Sequence, residues 1–364
     1  MVNAFEIAVF EGDGIGPEVT APVVDMLAAL AGRSVEYSLD FTAADAGAGH
    51  YARTGNALPG ESLDIARRAD AILLSAMGIP SIRYEDGTEI APQIDLRTEL
   101  DLYAGVRPVR IVTGQPTPLN IPAGRNIDFV LVRESTEGLF HSKGRGEVTH
   151  DEARETMLIT RKTSEKLFRF AFELALQRKN TGEGPGRLTC VDKANVFRAF
   201  AFFRSVFDEQ AVNYPEITAD HAYVDAAALW MVQKPWIFDV MVTENMFGDI
   251  LSDLGAGLVG GLGMAPSADI GDNHAVFQPC HGSAPDIAGQ GIANPFAMIL
   301  SAAMMLEWLA NKNKVQAMAR DAQMLRDAVY DVVSRARWTT RDIGGNATTR
   351  EASNAVTDAF SLVS

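Results

Sequence analysis

Residues 5–30, FEIAVFEGDGIGPEVTAPVVDMLAAL, give the first clear fold signal in this chain of 364 residues. The first six form an apolar run of strand length, and residues 17–30 have the pattern of a helix with proline near its first turn. Gly12, Gly14 and Gly16 join the two. Glycine at every second position does not match the Gly-x-Gly-x-x-Gly spacing of the Rossmann nucleotide fold. The stretch therefore predicts a tight turn between a strand and a helix.

The same alternation of strand and helix continues along the chain. The apolar runs predict further strands over residues 70–77, 127–133, 188–192, 236–243 and 274–279. Amphipathic patterns predict helices over 61–68, 163–178, 196–207 and 245–258, and two more between 295 and about 335. Glycine-containing polar stretches predict loops at 84–87, 143–146 and 180–186. Such an order is typical of an α/β fold whose sheet is covered on both faces.

Composition excludes several classes of protein. The 47 acidic against 32 basic residues give a net charge of −15, which argues against nucleic acid as a partner. With only Cys190 and Cys280, neither a disulfide framework nor a cysteine-based zinc site is expected, and a cytoplasmic location fits. The N-terminus lacks the basic region of a signal peptide. The apolar stretch 295–310 contains Glu307 and is too short to span a bilayer comfortably, so it predicts a helix of the core or of a subunit interface.

Two groups of charged residues stand out as candidate ligand contacts. Arg97, Arg107 and Arg133 lie in or next to apolar segments, where a guanidinium needs a partner and a carboxylate is the best bidentate one. Ordinary salt bridges would explain each arginine equally well. Asp249 and Asp253 are four residues apart and share one face of a helix. Two carboxylates that repel each other suit Mg²⁺ or Mn²⁺, although a solvated helix face would look the same.

Two further places have residues suited to chemistry. Lys193 follows a predicted strand and would act as a base if a nearby metal lowered its pKa, and Asp225 precedes a helix, where an N-cap is the simpler interpretation. Residues 281–295, HGSAPDIAGQGIANP, join a strand to a helix. Their small side chains allow close approach of a nucleotide, and the Asp286 carboxylate would accept hydrogen bonds from ribose hydroxyls. An ordinary glycine-rich connection is the alternative.

Taken in order, these stretches resemble one family. GDGIGPEV, the three arginines, VDKANV, YVDAAA, TENMFGDILSDLG and HGSAPDIAGQGIANP are similar to motifs of the β-decarboxylating dehydrogenases. That isopropylmalate and isocitrate dehydrogenase family also includes D-malate, tartrate and homoisocitrate enzymes. The resemblance runs from about residue 5 to 310. It implies a large mixed sheet shared by two domains, which is not a Rossmann fold. Residues 1–105 and 261–364 would form a discontinuous nucleotide-binding domain, and 106–260 the dimerisation and metal/substrate domain, with the active site in the cleft between them.

The resemblance also implies the cofactors, the partners and the role of each site residue. The expected cofactors are NAD and either Mg²⁺ or Mn²⁺, and the expected assembly is a homodimer with shared active sites. The arginines Arg97, Arg107 and Arg133 would hold the carboxylates of a small dicarboxylate substrate. Asp249 and Asp253 would bind the metal together with Asp225, and Lys193 would be the catalytic lysine. Asp225 and Lys193 would come from the second subunit. The residues expected to contact the cofactor are His281, Gly282, Ser283, Ala284, Asp286 and Asn294.

Two departures from the family pattern leave the substrate open. Phe140 stands where the family has a tyrosine that serves as an acid. Ile90, Gln93 and Ile94 replace the residues that precede the first arginine in the better-known members, and they would line a small apolar pocket or hydrogen-bond a hydroxyl. We expect NAD-dependent oxidative decarboxylation of a 3-substituted malate of the 3-isopropylmalate type, which would serve leucine biosynthesis. D-malate or tartrate oxidation is the alternative, and a catalytically silent regulatory paralogue is a third.

Overall fold

The computed structural model describes residues 2–112 and 114–361. Its strands are β1 (Asn3–Gly12), β2 (Tyr37–Ala43), β3 (Ala71–Ala76), β4 (Ala104–Arg110), β5 (Asp128–Glu134), β6 (Glu147–Val148), β7 (Ala153–Arg154), β8 (Arg187–Asp192), β9 (Thr218–Tyr223), β10 (Val240–Thr243), β11 (Pro266–Ile270) and β12 (Ala275–Pro279). Its α-helices are α1 (Gly16–Arg33), α2 (Ala48–Thr54), α3 (Gly60–Arg68), α4 (Pro92–Glu99), α5 (Arg161–Thr181), α6 (Arg198–Ala211), α7 (Val224–Gln233), α8 (Asn245–Leu258), α9 (Phe296–Asn313), α10 (Gln316–Ser334) and α11 (Thr349–Ser361). No described helix has the length and apolar character that a bilayer span needs.

Ten strands form one mixed sheet in the order β2-β1-β3-β12-β11-β4-β5-β10-β8-β9. The outer strands pair in parallel on both sides. Antiparallel pairing is confined to the centre, where β11 pairs with β12 and β4, and β4 pairs with β5. This mixed order confirms the predicted α/β sheet and differs from the parallel Rossmann arrangement.

The two faces of the sheet are covered differently. One face packs against α1, α5 and α9, with α10 packed on α9, in a large hydrophobic cluster that includes Val106, Val132 and Phe277. On the opposite face, one cluster lies under α7 and α8, and a separate one lies by α3 and α4. Between these two clusters, the central strands place polar residues on the same face, because alternate residues of a strand point the same way. These residues are Arg107, Arg133, Ser267, Asp269 and Gln278.

Most predicted elements are confirmed, with shifted ends. α8 spans residues 245–258 as predicted, and α9 is a core helix with most of its residues buried. The strand predicted over 236–243 was wrong in its first half, because Pro235–Ile237 form a 3₁₀ turn and β10 begins at Val240. The loop predicted from 180 begins at Gly182. The sequence did not predict four strands, because glycine, proline or charged residues interrupt their apolar runs. These strands are β2, β4, β9 and β11.

Candidate active site

A cavity of about 210 Å³ opens on the polar centre of the sheet, between α4 on one side and α8 on the other. All three predicted arginines line it, and so do Asp249 and Asp253. The complete lining is Gln93, Ile94, Arg97, Arg107, Arg133, Phe140, Asp249, Ser252, Asp253, Ser267, Gln278, Pro279 and Cys280. The chain therefore brings these five charged residues together from four separate elements.

A buried carboxylate, Asp269 on β11, joins two of the arginines. Arg97 Nε donates to its Oδ2 at 3.0 Å, and Arg107 Nη2 donates to its Oδ1 at 3.1 Å. Gln278 Nε2 donates to Oδ2 at 3.1 Å. Burial opposes ionisation of Asp269, but Arg107, Arg97 and Arg133 outweigh it and lower the pKa of this carboxyl to about 2. Asp269 is thus a permanent anion that holds two of the cavity cations in place.

Arg133 is held from the other side, by α8. Its Nε and Nη2 donate to Asn245 Oδ1 at 2.9 and 2.7 Å, and its Nη1 donates to Asp249 Oδ1. The helix approaches closely because residue 248 is glycine, where a Cβ would lie 2.6 Å from Arg133 Cβ. Burial, together with the neighbouring Arg97, lowers the pKa of Arg133 to about 10, so it stays a cation at neutral pH.

The carboxylates of Asp249 and Asp253 lie one turn apart on α8, as predicted. Burial, and then the charge of Asp249, raises the pKa of Asp253. Two oxygen donors that repel each other fit a divalent cation such as Mg²⁺ or Mn²⁺, which Asp249 and Asp253 would hold. Among residues 2–112 and 114–361, no cluster of three or more His, Cys, Asp and Glu side chains is placed to hold a metal. A third carboxylate does not reach Asp249 and Asp253 within this part of one chain.

Lys193 and Asp225 lie together but do not line this cavity. Lys193 follows β8, Asp225 is the second residue of α7, and Lys193 Nζ lies 2.6 Å from Asp225 Oδ1. The hydrogen bond from Lys193 lowers the pKa of the Asp225 carboxyl. The N-cap alternative for Asp225 was wrong, because the N-cap of α7 is Tyr223. The two residues therefore form an exposed pair at the end of the sheet that contains β8 and β9.

The loop 281–294 begins directly after Cys280, which lines the cavity. Ile15 N donates to Ser283 O at 2.8 Å, and the Ser283 hydroxyl donates to Gly78 O. Gly14 has φ of +62°, and a Cβ there would overlap the Ser283 carbonyl oxygen. The predicted GDGIG turn thus packs against this loop and fixes its position at Ser283.

The members of the loop differ in how they are held. His281 Nδ1 lies 3.0 Å from Gly282 O, and burial lowers the pKa of the ring. Asn294 is buried and donates from Nδ2 to Asp342 at 2.9 Å. Asp286 is exposed, and its carboxylate accepts no hydrogen bond from the described residues. Ala284 has a positive φ of 38°, unusual for a residue with a side chain.

The residues that depart from the family pattern are only partly at the cavity. Phe140 lines it, with its ring centroid 5.1 Å from the Arg133 guanidinium carbon. Gln93 and Ile94 line it as well. Ile90, expected on the same helical face, precedes α4 and is fully buried against Ala48 and Ala57. The expectation that Ile90 lines this pocket is therefore corrected.

Sequence reasoning missed Asp269, Gln278 and Asn245. Asn245 stood inside a quoted motif without a role. Asp269 lies on β11 and Gln278 on β12. These two strands form a hairpin that is closed by a hydrogen bond from Gly271 N to His274 O. The only signal for them in the sequence is that polar residues interrupt two short apolar strands. An analysis of the two-residue strand period would have placed these polar residues on one face of the sheet.

Comparison with known proteins agrees with this geometry. Residues 6–359 match the model of the isocitrate/isopropylmalate dehydrogenase family. A protein of Methanocaldococcus jannaschii named 3-isopropylmalate/3-methylmalate dehydrogenase is 42% identical over 353 residues, covering 96% of this chain and 97% of its own. The homoisocitrate dehydrogenase of the same organism is 39% identical, covering 96% of each chain. The crystal structure of isocitrate dehydrogenase from Methylococcus capsulatus superimposes with a TM-score of 0.86 at 34% identity, covering 98% of this chain and 99% of that one.

The fold and the motif-bearing cavity thus define an α/β oxidoreductase with a mixed central sheet. More particularly, the chain belongs to the isocitrate/isopropylmalate dehydrogenase family, and it is a β-decarboxylating dehydrogenase.

Proposed function

We propose that this protein oxidises and decarboxylates a 3-substituted malate of the 3-isopropylmalate type, with NAD and a divalent metal. The observation that carries the proposal is that Arg97 is nearly buried at the cavity, with only part of its guanidinium group bound. Its side chain is only 10% exposed, and its Nε is bound by Asp269. Within the described part of the chain, its two η nitrogens donate to no acceptor, yet they belong to a residue that lines the cavity. A substrate carboxylate matches this planar pair of donors.

The size and charge of the cavity favour a small dicarboxylate. A volume of about 210 Å³ accommodates an acid of malate size with one small substituent. Arg97 and Arg107 are joined through Asp269, and Arg133 is held separately by Asn245 and Asp249 of α8. Cations held by two separate sets of partners would fix both carboxylates of the acid and so set the orientation of its C2 hydrogen toward the cofactor loop.

The side chains present fit a divalent metal held by Asp249 and Asp253. When bound, this metal would acidify the 2-hydroxyl and act as the electron sink for loss of CO₂. The chain's own residues perform the remaining tasks. Arg133 holds a substrate carboxylate next to the two aspartates, and Lys193 would accept the hydroxyl proton during hydride transfer to NAD.

Lys193 and Asp225 act in this proposal from a second copy of the chain. Support comes from their exposed pairing away from the cavity of their own chain. The helices next to them also expose large apolar side chains, with Leu229 and Val232 on α7 and Ile250 on α8 exposed by 52%, 46% and 62%. A homodimer with shared sites would cover these residues. In this arrangement, 106–260 is the dimerisation domain, and 1–105 with 261–364 binds the nucleotide.

Protonation of C3 after loss of CO₂ cannot come from Phe140, which has no acidic hydrogen. Lys193, carrying the proton from the hydroxyl, or a water molecule would take this role. NAD is proposed over NADP because Asp286 is an exposed carboxylate in the cofactor loop and would repel a 2′-phosphate. Both cysteines are free thiols, which supports a cytoplasmic location.

One observation favours a second candidate, a tartrate dehydrogenase, because tartrate carries a hydroxyl at C3 that D-malate lacks. Gln93 lines the cavity, and its Oε1 is buried without a hydrogen-bond donor among the described residues. A hydroxyl on the substrate would satisfy this acceptor, whereas Ile94 beside it favours an alkyl substituent.

The test is NAD reduction with Mn²⁺ and each of 3-isopropylmalate, isocitrate, homoisocitrate, D-malate and tartrate, with CO₂ measured in parallel. We expect the highest kcat/KM for 3-isopropylmalate and near-equal amounts of CO₂ and NADH. With NADP, kcat/KM should fall by roughly 30-fold, as an unpaired charge at the ribose costs about 2 kcal/mol. A preference for tartrate would favour the second candidate, and no turnover of any of the five acids would contradict both.

A further inference from the structure

We propose that Asp269 is a positioning residue for the substrate, which sets the spacing and orientation of Arg97 and Arg107. This inference rests on the proposed function, because it assigns the two arginines to a carboxylate substrate. Asp269 itself does not line the cavity and would not touch the substrate. Its effect would pass through the two guanidinium groups that it binds.

The contacts of Asp269 show how one side chain fixes both arginines. Its two oxygens are divided between them, with Oδ2 on Arg97 Nε and Oδ1 on Arg107 Nη2. The remaining acceptor positions are filled by Gln278 Nε2 at 3.1 Å and by Ser135 Oγ at 3.3 Å. Four donors surround a fully buried carboxylate, so any rotation of the Asp269 side chain away from this position breaks hydrogen bonds that water cannot replace.

The neighbouring backbone also helps to hold Asp269 and Arg107 in place. Gly105 lies between Arg133 and Asp269 in the register of β5, β4 and β11. A Cβ at this position would lie 3.0 Å from Asp269 Oδ1 and 2.6 Å from Ser135 Oγ. The missing side chain leaves the space that the carboxylate occupies. Arg107 is further fixed by Nη1, which donates to Val106 O at 3.1 Å and to Ala268 O at 2.9 Å.

A structural role alone does not account for the pattern of bonds. Arg97 is bound at Nε only, which leaves its η nitrogens directed away from the carboxylate that holds it. The structural pair of Arg178 and Asp239 also uses Nε, but there Nη2 donates to Asp128 Oδ1 and to Glu183 O, whereas the η nitrogens of Arg97 have no acceptor among the described residues. The carboxylate of Asp269 thus takes one donor from each arginine, and the η nitrogens of Arg97 stay available to a ligand.

The test compares Asp269→Asn with the wild type. An amide has one acceptor oxygen and a donor nitrogen, so at least one arginine loses its partner. We expect the KM for 3-isopropylmalate to rise by about 10- to 100-fold, with kcat changed less than about threefold and the KM for NAD unchanged. If Asp269 acted only through its charge, removing it would leave the site more cationic and would lower the KM for this dianion. An unchanged or lowered KM would overturn the proposal.

Two further variants keep the result interpretable. Asp239→Asn is the matched control, because Asp239 is also fully buried and binds Arg178 Nε at 2.8 Å, outside the cavity. It should lower the melting temperature and leave the KM unchanged. Ser135→Ala removes one bond to Asp269 and should raise the KM about twofold even if Asp269→Asn fails to fold.

Calorimetric binding of 3-isopropylmalate without NAD separates this inference from the proposed function. A wild-type protein that binds the acid but does not oxidise it contradicts the proposed function, and the Kd of the variants still decides the role of Asp269. Equal Kd values for wild type, Ser135→Ala and Asp269→Asn would overturn that role. A wild type that binds no such acid overturns both.

Discussion

Asp269 and Asp225 are both aspartates that bind basic side chains, but their surroundings differ. Asp269 is fully buried on a central strand and is shared by Arg97 and Arg107. The Asp225 side chain is 67% exposed on α7 and binds only Lys193 among the described residues. Asp269, Arg97 and Arg107, which we call the buried cluster, all belong to one chain. An ion pair with so exposed a carboxylate contributes little to the stability of the single chain, so folding gives little reason for it. On this difference rests our proposal that the buried cluster binds the substrate and that the exposed pair acts in the site of another copy.

Removing the metal should have the largest effect, since it leaves the two cavity carboxylates without a cation. Dialysis against excess chelator should reduce activity by roughly 10³-fold or more, because a bound metal contributes several kcal/mol to the barrier. Added Mg²⁺ or Mn²⁺ should restore the wild type. The same addition should not restore Asp253→Ala. Full activity in excess chelator would contradict the role assigned to Asp249 and Asp253.

Loss of the exposed pair's lysine should have the next largest effect. Lys193→Ala should lower kcat by about 10²–10⁴-fold, the usual contribution of a general base, with little change in substrate KM. Lys234→Ala is the matched control, because Lys234 lies at the end of α7, the helix that carries Asp225, and its ammonium group lies over the Trp230 ring. It should retain full kcat. If the two variants behaved alike, Lys193 would not be the base.

A smaller effect is expected where α8 packs on Arg133. Gly248→Ala places a methyl group 2.6 Å from Arg133 Cβ and should displace this arginine. We expect the substrate KM to rise by about 10-fold with kcat retained. Gly257→Ala on the same helix meets open space and should change neither constant. Steady-state kinetics that showed no difference between these variants would mean that Arg133 is not held for the substrate by α8.

The sequence alone predicted the positions of Asp249, Asp253 and the loop after β12, but it did not predict the role of Asp269. Helix periodicity placed Asp249 and Asp253 on one face of α8, and the motif HGSAPDIAGQGIANP was correctly predicted to join a strand to a helix, here β12 to α9. Asp269 was missed because its role depends on strand pairing between β11 and β4, which local patterns do not reveal. Ile90 was misplaced because α4 begins at Pro92, two residues after it.

The central claim is that the cavity, which contains Asp253, and the exposed pair, which contains Lys193, form one site only across two subunits. Mixing Lys193→Ala with Asp253→Ala, each inactive alone, tests this most directly. After subunit exchange, about a quarter of wild-type activity should return, because half of the dimers would be mixed and each would hold one intact site. Mass spectrometry would verify the exchange. Verified mixed dimers without activity would show that Lys193 and Asp253 serve the same chain's site.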